Sequence, residues 1–371
     1  MTPALERVLV LVRKEFRQVF RDSRLTRVLF VSPLVQLVVF GYAVSTDIRH
    51  TSTYLVDHDH SQASRELVEA LVASGYFAIT GRGERAADLV RALEHGDTIL
   101  GVEIPAGFAR DLAAADGSAV VQLLLDGTNS NTALVARGYA ERIVQGFGVR
   151  ATGAVRRPAV ELQERAWFNP SLASRNYNVP AVVGTIVLLV CLLLTALAVV
   201  REREIGTLEQ LMVSPLRPAE LIAGKTLPFA LLGLMDLGLV TAAARLWFHV
   251  PFAGSWLLYL LASILYLFSG LGLGLLLSTL SSTQQEAFMA TFLVFMPTML
   301  LSGFMFPVES MPRIFEILTW VNPLRHYLEI VRGIFLKGAG LRALWPQYLA
   351  LLLLGGLVLG TATTRFQKRM S

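Results

Sequence analysis

The sequence predicts an α-helical polytopic membrane protein with six transmembrane helices and an inserted extracytoplasmic α/β domain. Three observations support this fold class. Of the 371 residues, 54% are hydrophobic and 16% are charged, whereas soluble domains average about 25% charged residues. The charges are concentrated, since residues 47–175 contain 16 of the 28 acidic residues. Long uncharged segments occupy much of the remaining chain. This pattern excludes a disordered chain and argues against a soluble enzyme.

The uncharged segments define the transmembrane helices. A helix needs about 20 apolar residues to cross the hydrocarbon core. Within the long uncharged run that begins near residue 246, Pro251 and Gly254 suit a turn, so the fourth span is placed from about residue 256. The six predicted spans are 28–46, 176–200, 226–244, 256–280, 287–308 and 343–364.

Basic residues set the orientation of these spans. The four segments on one side of the membrane contain 14 Lys and Arg residues, and the two short loops on the other side contain 6. Both termini are therefore predicted to be cytoplasmic. Of the six basic residues on the outer side, five lie in loop 309–342. The apolar residues of this loop indicate short helices at the outer interface. The four inner segments are 1–27, 201–225, 281–286 and 365–371, and the other outer loop is 245–255.

Residues 1–27 are predicted to form a cytoplasmic amphipathic helix, followed by the first transmembrane helix at 28–46. Apolar residues recur there at helical spacing, and the basic residues lie mostly elsewhere on the helix surface. A secretory signal peptide cleaved near Ala43-Val44-Ser45 is the alternative. The basic segment is long for a signal peptide, which favours a retained span.

Residues 47–175 form the predicted extracytoplasmic α/β domain, and residues 176–371 a five-helix transmembrane domain. Extended and helical patterns alternate in the former, which predicts a compact domain with a parallel or mixed sheet. The extended runs are 53–56, 76–80, 99–104 and 120–125, and the helical ones 64–73, 86–95, 105–115 and about 132–147.

The sequence contains no convincing nucleotide motif. Gly224-Lys225-Thr226 imitates the end of a phosphate-binding loop, but Ala219 stands where the first Gly belongs. The net charge of +5 does not indicate nucleic-acid binding, because the basic excess lies beside the first span. No catalytic residue and no cofactor bound by this chain are predicted.

A metal site is likewise not predicted. Asp57, His58, Asp59 and His60 have suitable ligand atoms, but a turn that ends the first strand is the favoured interpretation. The loop at 126–131 could be a polar binding loop, but an ordinary turn with a helix cap is the favoured interpretation. Cys191 is the single cysteine, which excludes an intrachain disulfide.

Asp236 lies in the middle of the third predicted span. An ionisable group at that depth is costly and usually faces a bundle interior or an aqueous path. Asp236 is therefore a candidate residue of the transport path. The alternative is a protonated or hydrogen-bonded carboxyl group that packs two helices together.

The cytoplasmic segment after the second predicted span reads Arg201-Glu-Arg-Glu-Ile-Gly-Thr-Leu-Glu-Gln-Leu-Met-Val-Ser-Pro215. Gly206 suits a left-handed residue that ends the preceding helix. Thr207 with Gln210 forms a capping box that begins a new helix. The sequence therefore predicts a short, separately capped helix near 207–213, with a simple tight connector as the alternative.

This segment resembles the glutamate-rich loop of type-2 ATP-binding-cassette (ABC) exporter permeases. The resemblance covers nearly the whole chain, including a large extracytoplasmic domain between the first and second spans, as in bacterial drug-efflux-like permeases. Further matches are Arg13-Lys-Glu-Phe-Arg17, Ser282-Thr-Gln-Gln-Glu286, Asn322-Pro323, Arg332 and Lys337-Gly338.

The resemblance implies the permease subunit of an ABC exporter in the bacterial cytoplasmic (inner) membrane. It implies export of a substrate such as a drug or lipid-like compound, whose identity the resemblance does not specify, with ATP and Mg bound by a separate cytoplasmic ATPase subunit. Further implied partners are a second permease copy or paralogue and a periplasmic adaptor protein. The helix near 207–213 would contact the ATPase, and Glu202, Glu204 and Glu209 would pair with its basic residues. The implied ATPase-coupling residues are Glu202, Glu204, Gly206, Thr207, Glu209 and Gln210.

Two other functions remain as alternatives. A proton-coupled secondary transporter would use Asp236, but the sequence shows neither inverted repeats nor paired broken spans. A membrane-anchored extracytoplasmic sensor would bind ligands through residues 47–175, but one or two spans suffice for that purpose.

Overall fold

A computed structural model describes residues 3–43, 50–114, 119–128, 130–151, 168–169, 173–206 and 218–370. The chain divides into two compact units, one of Thr46–Arg165 and one of Met1–Ser45 with Ala166–Ser371. The strands are β1 (Thr51–Asp57), β2 (Phe77–Gly83), β3 (Leu100–Ile104) and β4 (Gln122–Leu125). The α-helices are α1 (Pro3–Arg21), α2 (Ser23–Ala43), α3 (Gln62–Ala73), α4 (Ala86–Glu94), α5 (Phe108–Ala113), α6 (Ser130–Ala151), α7 (Ser174–Glu204), α8 (Pro218–Phe248), α9 (Trp256–Leu280), α10 (Gln284–Leu300), α11 (Arg313–Thr319), α12 (Pro323–Arg332) and α13 (Leu341–Met370).

The unit Thr46–Arg165 contains a four-stranded mixed sheet with the order β2-β1-β3-β4. β1 pairs in parallel with β2 and β3, and β3 pairs antiparallel with β4. Leu67 of α3, Phe147 of α6 and Val102 of β3 belong to one hydrophobic core. On the opposite face of β3, Leu89 of α4 occupies the space that a side chain at Gly101 would need. Every predicted strand and helix of this unit occurs, with ends that differ by a few residues.

Two carboxylates build the turn that follows β1. Asp57 accepts hydrogen bonds from the Asp59 amide (3.0 Å) and the Ser64 hydroxyl (2.7 Å). Asp59 accepts hydrogen bonds from the amides of Gly107 (2.8 Å) and Ala109 (3.1 Å), at the start of α5. A carboxylate at this position satisfies amides that have no partner within the helix. Both carboxylates therefore stabilise local backbone.

Four helices of the other unit are long and apolar enough to cross a membrane: Ser174–Glu204, Glu220–Phe248, Trp256–Leu280 and Leu341–Arg365. The predicted boundary between a helix at 1–27 and a span at 28–46 is wrong, because α1 ends at Arg21 and α2 begins at Ser23. The apolar part of α2, Leu29–Ala43, is shorter than these four helices. The predicted end of the fifth span, residue 308, is wrong, because α10 ends at Leu300. Gly303 then adopts a left-handed φ of +79°, which an L-residue with a side chain rarely tolerates. This turn leads into the short helices α11 and α12.

Glycines allow α9 to approach its neighbours closely. A Cβ atom at Gly274 would lie 2.8 Å from Cβ of Thr195 in α7, and one at Gly272 would lie 2.9 Å from the Leu359 amide nitrogen in α13. Small residues at such spacing are typical of tightly packed helices in lipid. The glycines of this segment thus serve helix packing.

The helices of this unit carry aromatic residues at one end. Trp247 at the end of α8 donates a hydrogen bond to the Tyr42 hydroxyl at the end of α2 (3.1 Å). Trp256 at the start of α9 stacks on Phe252, with ring centroids 3.9 Å apart. Trp and Tyr are enriched at membrane–water interfaces. The opposite ends of α7 and α8 carry buried charges, which form the candidate site described below.

We expect Asp59→Ala to destabilise the start of α5 by about 1–2 kcal/mol, since it removes a charged acceptor of two amides. Hydrogen exchange of the full chain should show faster exchange at Gly107 and Ala109. Glu94→Ala is the matched control, because Glu94 is an exposed carboxylate without a hydrogen bond in the described part of the chain. Equal exchange in the two variants would contradict this role.

The contribution of Asp59 also predicts a pH dependence. The Ser61 hydroxyl, followed by the Ala109 and Gly107 amides, holds the pKa of Asp59 below its ordinary value, against an opposing effect of burial. Because the folded pKa is the lower one, the stabilisation is complete above the unfolded value of about 3.9 and is lost as the pH falls through the folded value. Acidification below about pH 4 should therefore weaken protection of α5 in the wild type and much less in Asp59→Asn.

Candidate functional site

The second predicted span ends in the geometry that the sequence indicates. α7 stops at Glu204, and Gly206 has a φ of +76°. The Gly206 amide donates a hydrogen bond to the Arg203 carbonyl (3.1 Å). The predicted left-handed end is therefore confirmed. Thr207, Glu209 and Gln210, together with the predicted capped helix near 207–213, lie outside the described residues.

Glu202, in the last turn of α7, is 3% exposed and contacts two ammonium groups. Lys14 of α1 donates to its Oε1 at 2.7 Å, and Lys225 of α8 pairs with its Oε2. Lys225 is also 3% exposed, and its Nζ donates to Oε1 of Glu15 at 2.9 Å. Lys14, Glu15, Glu202 and Lys225 are hereafter the ionic cluster.

The ionic cluster contains two carboxylates and two ammonium groups, so its formal charges cancel. Removing an ion from water costs several kcal/mol even after relaxation, and close pairing has to offset that cost. Loss of one partner leaves a buried charge unpaired, which typically costs about 3–5 kcal/mol. The cluster therefore constrains α1, α7 and α8 to one relative position.

The neighbouring residues of α7 contact the turn between α9 and α10. Oε1 of Glu204 accepts a hydrogen bond from the Gln284 amide (2.8 Å), and its other carboxylate oxygen contacts the Gln284 side chain. This carboxylate stabilises the amino-terminal end of α10. Arg203 donates to the Ser281 carbonyl at 2.7 Å. Residues 202–204 thus connect α7 to α1, to α8 and to the turn between α9 and α10.

α1 has further ionic contacts on either side of the cluster. Arg7 donates to both oxygens of Glu220 in α8, at 2.8 and 3.1 Å. These hydrogen bonds raise the pKa of Arg7. Beyond the end of α1, Asp22 lies 3.7 Å from Arg201. Part of the surface of α1 therefore packs against α7 and α8, in addition to the amphipathic character that the sequence predicts.

Sequence reasoning gave Lys14, Glu15 and Lys225 no role in the site, although the first two lie in the matching segment 13–17. A signal was present for one of them, since Glu15 shares a four-residue spacing with Leu11 and Val19, and all three are buried. A carboxylate on such a stripe requires a partner. Its partner Lys225 is 210 positions away in the sequence, and no helical periodicity relates residues so far apart.

Two apolar clefts follow α7 where it faces α2 and α10. Their volumes are about 310 Å³ and about 230 Å³, and aliphatic and aromatic side chains supply most of their walls. Gln36 of α2 and Leu189 of α7 line both clefts. The smaller cleft reaches Glu15, Arg201 and Gln284. It therefore extends to the residues around the carboxyl-terminal end of α7, the end that the sequence predicts to be cytoplasmic.

Asp236 is fully buried and does not line either cleft. Neither carboxyl oxygen has a hydrogen-bond partner within the described part of the chain. One turn earlier, a Cβ atom at Gly233 would lie 2.9 Å from both Cys191 Sγ and Leu267 Cδ2. A carboxyl group without partners in such apolar surroundings is far more stable in its neutral form. This environment matches the packing alternative better than the transport-path alternative.

The other candidate sites of the sequence have local structural partners. Asp126 accepts a hydrogen bond from the Thr128 amide at 2.9 Å, which is an ordinary turn contact. Within the described ranges, no three His, Cys, Asp or Glu side chains are grouped as metal ligands.

Comparisons with known proteins identify the family. Residues 26–365 match the family described as ABC-2 family transporter protein. The chain is 33% identical to an Escherichia coli protein named "Probable multidrug ABC transporter permease YbhR", over 98% of this chain and 99% of that protein. Two further proteins of that organism, "Probable multidrug ABC transporter permease YbhS" and "Inner membrane transport permease YhhJ", are 32% and 30% identical, each over 90% of this chain and over 89% and 92% of their own lengths. The chain belongs to the ABC-2 family of transporter proteins.

Proposed function

We propose that this chain is the permease subunit of an ABC exporter and that the ionic cluster fixes the part of α7 through which ATPase movement reaches the membrane helices. Family membership implies an ATPase partner and a dimeric arrangement. ATP and Mg belong to that ATPase, and the second permease is a copy or a paralogue of this chain. The buried pairing of Lys225 with both Glu15 and Glu202 is the observation that carries the coupling proposal.

The proposed topology has six spans, with both termini on the cytoplasmic side of the inner membrane. Four long apolar helices, the shorter α2 and the 17-residue α10 supply the spans. The excess of basic residues supports a cytoplasmic location for the ends that carry the ionic cluster. The aromatic residues at the other ends support an outer interface there. The domain within residues 47–175 is then extracytoplasmic, and a periplasmic adaptor as its partner remains a prediction.

The coupling proposal assigns different roles to the glutamates of α7. Glu202 has its partners inside the chain, so its contribution is to position α7 and not to contact the ATPase directly. Glu204 is exposed and bonds Gln284, which places it between α7 and α10. A displaced segment 207–213 would move Gly206 and Glu204, and rigid packing would transmit that displacement to both helices.

The apolar clefts favour an apolar or amphipathic substrate of the drug or lipid-like class. Their walls offer few polar groups besides the Gln36 amide until the smaller cleft reaches Arg201 and Gln284. Apolar pockets with few polar groups are typical of small-molecule sites. A secondary transporter driven through Asp236 has less support, since that carboxyl group is enclosed and without described partners. The sensor alternative does not account for the clefts.

The topology predicts opposite labelling of two single cysteines. In a Cys191→Ser background, Ser118→Cys should react with an impermeant thiol reagent in intact spheroplasts, because residues 47–175 lie outside. Ser214→Cys should react only after lysis, because residues 201–225 lie inside. Equal labelling of both cysteines in unlysed cells would contradict the proposed orientation.

Gly206→Val should reduce substrate-stimulated ATP hydrolysis of the assembled transporter with little loss of folded protein. A side chain at a φ of +76° costs about 1–2 kcal/mol or relaxes by shifting the backbone that leads to 207–213. Gly340→Val is the control, because Gly340 is exposed and a Cβ atom there meets nothing within 4 Å. Wild-type stimulation in a well-expressed Gly206→Val variant would refute the role of this turn.

The ionic cluster predicts a different result for single and double variants. Lys225→Met alone should destabilise the protein by about 3–5 kcal/mol, because two buried carboxylates then share Lys14. Lys225→Met with Glu202→Gln removes one charge of each sign and should recover much of the melting temperature. If the cluster positions α7 for coupling, the double variant should still lack substrate-stimulated ATP hydrolysis. A folded double variant with wild-type stimulation would show that the cluster serves stability alone.

A further inference from the structure

The first helix, α1, exposes a row of basic side chains. Arg13, Arg17 and Arg21 recur every four residues, so they lie on one face of the helix. All three are exposed, and none of them forms a hydrogen bond or an ion pair within the described ranges. These three residues are hereafter the basic row.

The basic row lies opposite the face of α1 that packs on the protein. Leu11, Glu15 and Val19, which are also spaced by four residues, are buried. The ion pair with Lys225 holds Glu15 on that side. Each residue of the basic row follows a buried residue by two positions. Two positions rotate an α-helix by about 200°, so the basic row faces away from α7 and α8.

Apolar side chains border the basic row on one side. Phe16 and Phe20 each precede a residue of the row, and their ring centroids lie 6.2 Å apart in a stacked pair. Phe20 also stacks on Phe30 of α2, with centroids 6.1 Å apart. Phe20 is 47% exposed, and Val31, next to Phe30, is 52% exposed. The apolar edge of α1 therefore continues onto the exposed apolar surface of α2, which is a predicted span.

This arrangement matches the surface of a bilayer better than that of a soluble partner. A helix at a membrane interface places apolar side chains at the acyl boundary and Lys or Arg at the headgroups. The cytoplasmic leaflet carries acidic lipids, and each basic residue near such a surface strengthens binding roughly fivefold. Among the described side chains of α1, Glu6 is the exposed acidic one, so the exposed face has a positive net charge.

We propose that α1 binds the acidic phospholipids of the cytoplasmic leaflet, with the basic row at the headgroups and Phe16 and Phe20 at the acyl boundary. The bound surface is an acidic bilayer and not a single lipid molecule, since the row lies on an open helix face. α1 also carries Lys14 and Glu15 of the ionic cluster, so lipid binding stabilises the helix that holds the end of α7. Lipid binding by α1 rests on the proposed cytoplasmic location of this helix, but not on the coupling role of the cluster.

Hydrogen exchange of the purified full chain in lipid nanodiscs tests this surface. Discs of phosphatidylcholine are compared with discs of equal parts of phosphatidylcholine and phosphatidylglycerol. The acidic lipid should slow exchange of the α1 amides at least about tenfold, because binding stabilises the packed helix. The difference should shrink in 1 M salt, where the Debye length falls to about 3 Å. Both leaflets of a disc have the same composition, so the result does not depend on the orientation of the chain.

Arg13→Gln, Arg17→Gln and Arg21→Gln together should make exchange of α1 equal in the two kinds of disc. Arg13→Lys, Arg17→Lys and Arg21→Lys together keep the charges and should retain the effect, since an acidic surface attracts either cation. Melting temperatures in phosphatidylcholine discs show whether the glutamine variant is folded. If it is not, Arg17→Gln alone carries the comparison and should reduce the lipid effect roughly fivefold.

Arg82→Gln, Arg85→Gln and Arg110→Gln together are the matched control, because these exposed residues belong to the other unit. This variant should show the lipid effect of the wild type. Equal exchange of wild-type α1 in both kinds of disc would overturn the proposal, and so would an undiminished lipid effect in a folded glutamine variant of the basic row. Protection of α1 by a bound ATPase, without any effect of phosphatidylglycerol, would assign this face to the ATPase instead.

Discussion

The ammonium group of Lys225, buried between Glu15 and Glu202, is the interaction on which the membrane unit depends. It joins the first helix of the chain to the end of α7 and the beginning of α8. The cluster links these three helices, and moving them apart would leave Glu15, Glu202 or Lys225 as a buried charge without its partner. Replacement by apolar residues of similar volume would cost little stability in many proteins. We therefore infer that the main contribution of the cluster is to position the end of α7, where the chain continues toward segment 207–213.

Much of the fold could be predicted because its determinants are local. Alternating and helical patterns in 47–175 correspond to β1 to β4 and α3 to α6, and uncharged runs correspond to the long helices. The carboxyl-terminal end of α10 could not be predicted from hydropathy, since residues 301–308 are as apolar as a span. A left-handed Gly303 and the contacts of the following turn decide that boundary.

The candidate site was predictable only in part, for a related reason. A glycine at the position of Gly206 predicts a positive φ, because few other residues adopt that conformation. The pairing of Glu15 with Lys225 depends on how separate helices pack, and that information is spread over the chain. The sequence indicated Glu202 and Glu204 by resemblance, but their partners Lys14 and Gln284 lie in other helices. These partners show that both glutamates form contacts within the chain, Glu202 as a buried residue and Glu204 as an exposed one.

The contrast between Lys225 and Asp236 shows how one helix accommodates two buried ionisable groups. Lys225 lies near the beginning of α8 and pairs with two buried carboxylates. Asp236 lies about 16 Å farther along the helix axis, at about 1.5 Å per residue, and has no described partner. Helix α8 thus has buried ion pairs at Lys225, near its beginning. Its middle is apolar, and α7 and α9 pack closely around Gly233. Movement at the anchored end can therefore reach the cleft-lining face of α7 as a displacement of packed helices, without any charge crossing the apolar layer.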